Sequence, residues 1–170
     1  MNLRNKYFSL IVLVISFFSF ASLAYTQNNF EILSGEALKR IVPTSFYFAG
    51  QSAETQLRNS AAAKIGKERF IIVGLVDTSG YSTDIQGKYE GFFITDSPVK
   101  LGNKILGTGA YGFGFSKETI NIFDLSSKQI LAVKVTEDTE LKRPRPLMMT
   151  AENKAVKLYK GKLYISISPK

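Results

Sequence analysis

Gly107-Thr108-Gly109-Ala110-Tyr111-Gly112-Phe113-Gly114-Phe115 sets aromatic residues against bare positions at a period of two. In a β-strand that period sends Tyr111, Phe113 and Phe115 to one face and Ala110, Gly112 and Gly114 to the other. The aromatic face can fill a core, while the bare face lets a backbone, a packed element or a ligand come close. The stretch therefore predicts a strand in the interior of a curved β-sheet. It also marks Tyr111, Gly112 and Gly114, together with Tyr81 and Tyr89, as candidate contacts for an apolar ligand, set against plain packing in which glycine absorbs sheet curvature.

Working outward, most of the chain reads as short strands parted by turns. Residues 70–76, Phe-Ile-Ile-Val-Gly-Leu-Val, are apolar without alternation, which predicts a central strand covered on both faces. Residues 89–95 predict the next strand, and 99–101 with 104–106 flank Gly102-Asn103 as a hairpin. Downstream, 120–125, 130–135, 147–150, 155–159 and 163–168 continue the meander. Residues 51–65 have helix-favouring composition, but polar side chains recur at every second position opposite Ala53, Leu57, Ala61, Ala63 and Ile65, which predicts a strand. One helix is expected, over 28–41, where Phe30, Leu33, Ala37, Leu38 and Ile41 share a face and Pro43 ends the run. The expected class is mainly β: an antiparallel sandwich or barrel of about 8–10 short strands with one short N-terminal helix.

Arg4 and Lys6, an apolar run over 7–20 and the small residues of Ser22-Leu23-Ala24 have the form of a secretory signal peptide. The expectation is cleavage after Ala24, leaving 25–170 as a single β domain in the periplasm or outside the cell. Arg4 and Lys6 leave and no acid goes with them, so the formal charge falls from +8 to +6. A moderately basic exported protein meets anionic envelope polymers or lipid headgroups rather than nucleic acid. The expected partner is accordingly a small molecule or an anionic envelope component.

The chain has no cysteine and no histidine. Packing, not disulfides, must hold the domain. Ser-His and Cys-His nucleophile pairs, histidine proton shuttles and zinc or copper sites of the usual ligands are excluded. No cofactor and no metal site is expected, since Asp77, Asp84, Glu90 and Asp96 lack calcium-loop spacing.

Leu75-Val76-Asp77-Thr78-Ser79-Gly80 resembles the aspartic-protease signature, in which a hydrophobic strand runs into Asp-Thr-Gly, and Ile105-Leu106-Gly107 resembles the element that braces it. Ser79 lengthens that turn by one residue, and the only other candidate carboxylate, Asp96, has no glycine after it. Asp77 is thus the one catalytic candidate, set against an ordinary loop aspartate that bonds nearby amides. Lys142-Arg143-Pro144-Arg145-Pro146 is an extended basic segment. Arg143 and Arg145 could grip a carboxylate, phosphate or sulfate, or the prolines could simply block a sheet edge.

Three segments together, 76–82 (Val-Asp-Thr-Ser-Gly-Tyr-Ser), 109–115 (Gly-Ala-Tyr-Gly-Phe-Gly-Phe) and 142–147 (Lys-Arg-Pro-Arg-Pro-Leu), resemble an uncharacterised family of secreted bacterial all-β proteins. The resemblance implies export and a β fold, and no activity. The function expected is non-catalytic: a binding or envelope-associated module for a small apolar or anionic ligand. The alternative is an aspartic-protease-like hydrolase using Asp77.

Overall fold

The computed structural model describes residues 30–170, so the expected signal peptide, its cleavage site and Asn28 lie outside the described residues. In chain order the elements are β1 (Phe30–Leu33), α1 (Gly35–Ile41), β2 (Ser45–Phe48), β3 (Gln51–Ile65), β4 (Arg69–Val76), α2 (Thr83–Gln86), β5 (Gly91–Thr95), β6 (Val99–Leu101) and β7 (Lys104–Leu106). They continue with β8 (Gly109–Phe115), β9 (Thr119–Phe123), β10 (Gln129–Lys134), β11 (Thr136–Glu137), β12 (Arg145–Glu152), β13 (Ala155–Gly161) and β14 (Leu163–Pro169).

Two antiparallel sheets result. The first runs β1-β3-β4-β5-β8-β9-β10 with β2 paired to β3, and the second runs β12-β13-β14-β6-β7 with β11 paired to β14. Among the described residues they remain separate and close no barrel, so the architecture is a β-sandwich. Ile71, Val73, Phe93, Phe113, Ile120 and Ile122 of the first sheet bury against Val99, Leu101, Val156, Leu158, Ile165 and Ile167 of the second. Alternation accounts for this: on β14, Ile165 and Ile167 face the core and Ser166 and Ser168 face away.

A second apolar layer covers the outer face of the first sheet, built from Phe46, Phe48, Val76, Tyr81, Tyr89, Phe92 and Phe123. This is why 70–76 and Phe92-Phe93 do not alternate: both faces of those strands are buried. The cover comes from β2 and from Tyr81 and Tyr89 of the β4–β5 connection, and β3 carries β2 over the sheet. The pairing of β3 with β4 breaks between Thr55 and Ser60. Within the break Ser60 Oγ donates to the Gln56 carbonyl (3.1 Å) and Gln56 Nε2 donates to the Val76 carbonyl (3.0 Å). The bulge bends the strand, and its first residues pair with β2 over the sheet.

Two expectations need correcting. Of the helix expected over 28–41, only α1 forms, because Phe30 and Ile32 pack on the core from strand β1, paired in register with Ile65 and Ala63 of β3. Gly35, at φ +56°, turns the chain between the two. Among the described residues the strands are also more numerous and the helices two: β1 falls inside the expected helix, and the two-residue β11 and the single-turn α2 are too short for a periodic signal.

Candidate functional site

The bare face of β8 is closed by neighbours. A Cβ at Gly112 would collide with the Phe48 ring, and one at Gly114 with the Lys88 carbonyl. Phe48 in turn stacks on Tyr89 at 3.9 Å between ring centroids and meets Tyr81 and Phe123 edge-on at 6.4 and 6.3 Å. Tyr81 is buried in this cluster, its hydroxyl donating to the Gln51 carbonyl (3.0 Å), and burial raises its pKa. Burial also pushes up the Tyr89 phenol, which the neighbouring Tyr81 reinforces. The Tyr89 hydroxyl has no hydrogen-bond partner among the described residues.

The other sequence candidates lie apart from these. Tyr111 stands on the opposite, core-side face of β8, its hydroxyl shared between the carbonyls of Gly107 (3.1 Å) and Thr108 (3.2 Å). Arg143 and Arg145 are exposed where β12 begins, at the edge of the second sheet, with no ion-pair partner among the described residues. Pro146 sits in that edge strand, where a missing N–H costs no ladder bond.

Asp77 follows β4 in an exposed loop. Its carboxylate accepts the Ser79 N–H (3.0 Å), and that bond lowers its pKa below the ordinary value. Asp96 accepts the Phe70 N–H (2.8 Å) at the other end of β4, roughly 20 Å away at strand rise. The two carboxylates do not share a proton within one chain. Ile105-Leu106 belongs to β7 in the second sheet and does not brace the Asp77 loop. Among the described residues no group of three or more acids is gathered to hold a metal ion.

What the structure does assemble is a shallow, open depression of about 610 Å³ lined by Tyr47, Ala49, Gly50, Ile85, Leu125, Ser126 and Ser127. Three segments build it. The β2–β3 hairpin turns on Ala49-Gly50 with both φ positive (+50° and +88°), the geometry of a two-residue type I′ turn. Alternation buries Phe46 and Phe48 and leaves Tyr47 pointing outward, 56 % exposed. The turn docks on the β9–β10 loop, the Ala49 N–H donating to the Leu125 carbonyl (2.9 Å).

That loop is fixed by Asp124. Its Oδ1 accepts the Ser126 hydroxyl (2.6 Å), the Ser126 N–H (2.9 Å) and the Lys128 N–H (3.0 Å). These bonds, the Ser126 hydroxyl first, lower the Asp124 pKa. The result holds Ser127 at φ +71° and Leu125 40 % exposed. Sequence reasoning missed this site. Two signals for it were present: the period-two Phe46-Tyr47-Phe48 before Ala49-Gly50, and Asp-Leu-Ser-Ser-Lys over 124–128.

No family model matches this chain, and neither a curated protein nor a solved structure matches it.

Proposed function

We propose that this protein is an exported, non-catalytic binding module of the cell envelope whose ligand sits in the depression between the Ala49-Gly50 turn and the β9–β10 loop. One observation supports this most directly. Ala49 and Ser127, the two non-glycine residues with positive φ among the described residues, both line that depression. Such conformations cost of order 1 kcal/mol or more each and persist where the surrounding structure imposes them, typically at ligand clamps. The exposed Tyr47 ring and Leu125 offer the ligand an apolar surface.

Export rests on the N-terminal pattern of residues 1–24 and on the likeness to secreted bacterial β proteins. The anionic ligand would belong to Arg143 and Arg145, at the start of β12 on the other sheet and outside the lining of this depression. A hydrolase built on Asp77 draws no support from a carboxylate already committed to the Ser79 amide.

Native mass spectrometry of the protein from its own envelope or secreted fraction tests the reading. The expected result is a chain beginning at Tyr25 with a noncovalent adduct that Tyr47→Ala loses. A cytoplasmic chain beginning at Met1 would overturn export. An adduct indifferent to Tyr47→Ala would overturn the site.

A further inference from the structure

From the same depression we infer the class of ligand: a neutral saccharide unit, stacked on the Tyr47 ring and hydrogen-bonded along one edge by Ser126 and Ser127. The inference rests on the binding role proposed above.

Three features point to a sugar. First, none of the residues lining the depression is charged, so the site offers nothing to offset the desolvation of an ionised ligand. Second, the lining combines apolar side chains with hydroxyls. Tyr47, Ile85 and Leu125 supply apolar surface, and Ser126 and Ser127 supply hydroxyls. The Ser126 hydroxyl spends its proton on Asp124 and is left as an acceptor, whereas the Ser127 hydroxyl has no partner among the described residues. A pyranose matches this combination, with C–H bonds on its face and hydroxyls that both donate and accept around its rim.

Third, the depression is shallow and open, and Tyr47 stacks on no other aromatic ring among the described residues. A lipophilic ligand needs an enclosed cavity to bury most of its surface. One residue of a polymer needs only a platform, because the rest of the chain stays in water. The backbone beneath the ring is tied down: the Ala49 amide bonds the hairpin to the loop, and Asp124 bonds the loop to itself, so little backbone freedom is lost on binding.

The test is a nitrogen-15 NMR titration of the labelled protein with tetrasaccharides of glucose, xylose and N-acetylglucosamine, and separately with the neutral apolar dye N-phenyl-1-naphthylamine. The expected result is that at least one saccharide shifts the amides of 47–50 and 124–127. Tyr47→Ala should then weaken it on the order of tenfold and Tyr47→Phe should retain it. Because Tyr47 is exposed, both variants should keep the wild-type spectrum elsewhere. Dye binding at these amides without any saccharide would overturn the saccharide assignment and leave the binding role standing. Neither probe shifting them would overturn both, and a saccharide that shifts only other residues would overturn the site.

Discussion

Gly112 and Gly114 are small for different reasons, and the difference is measurable. At Gly112 an added side chain meets the Phe48 ring, which can tilt only by disturbing its stack on Tyr89. At Gly114 it meets the Lys88 carbonyl, a backbone group held by the Lys88 and Tyr89 amides bonding to Ile85. Gly112→Val should therefore cost about 1–3 kcal/mol by overpacking, and Gly114→Val more, with thermal melts as the measurement. Equal, unchanged melting temperatures would show the face to be uncovered. The period of two in 107–115 made the bare face legible. What covers it was not, since Phe48 lies more than sixty residues upstream and reaches Gly112 only through the bend in β3. Tyr47 escaped notice for a related reason: its exposure follows from where Phe46 and Phe48 are buried, which is a tertiary fact.

At the scale of elements, the apolar runs are legible because burial on two faces leaves a composition signal, and the short β6 and β7 because Gly102-Asn103 marks the turn between them, whereas the two-residue β11 has neither signal. Residues 30–33 look helical in isolation and become β1 because β3 offers them a ladder. The bulge in β3 was invisible as well, since it depends on Gln56 and Ser60 bonding across a turn of backbone. A further device ties the two sheets. On β13 the inward positions Val156 and Leu158 are followed by Lys160, whose ammonium pairs with Glu90 beside the Phe115 ring. The second oxygen of Glu90 accepts the Phe115 N–H (2.8 Å). Burial lowers the Lys160 pKa, disfavouring the ammonium there. With both side chains roughly a third exposed (32 % and 27 %), the full cost of breaking a buried pair does not apply. Lys160→Met should destabilise by about 1–2 kcal/mol in chemical denaturation, and Glu90→Gln added to it should recover part of the loss. A double variant no better than the single one would mean that the pair does not couple the sheets.

The whole molecule places its polar economy in tyrosines rather than in histidine or cysteine, of which it has none. Tyr81, Tyr89, Tyr111 and Tyr159 all have pKa values raised first of all by burial. A phenol whose folded pKa exceeds its unfolded value stabilises fully below the unfolded pKa, near 10, and loses that contribution as pH climbs toward the folded value. The sandwich should therefore hold constant stability from these groups through neutrality and unfold cooperatively above pH ~10. Tyr89 should dominate the transition, being fully buried and bearing the largest upward shift. Its hydroxyl is also buried, beside the Tyr81 hydroxyl but with no partner at hydrogen-bond geometry among the described residues, so removing it relieves a desolvation cost at every pH. Tyr89→Phe keeps the ring that stacks on Phe48 and should gain about 1 kcal/mol at neutral pH. The same substitution should move the alkaline unfolding midpoint upward, because one ionisation that drives unfolding is gone. Circular dichroism followed against pH, with tyrosinate absorbance as the second probe, measures both effects. A Tyr89→Phe protein that is less stable at neutral pH would mean that the hydroxyl is bonded after all, and an unmoved alkaline midpoint would assign the transition to another tyrosine.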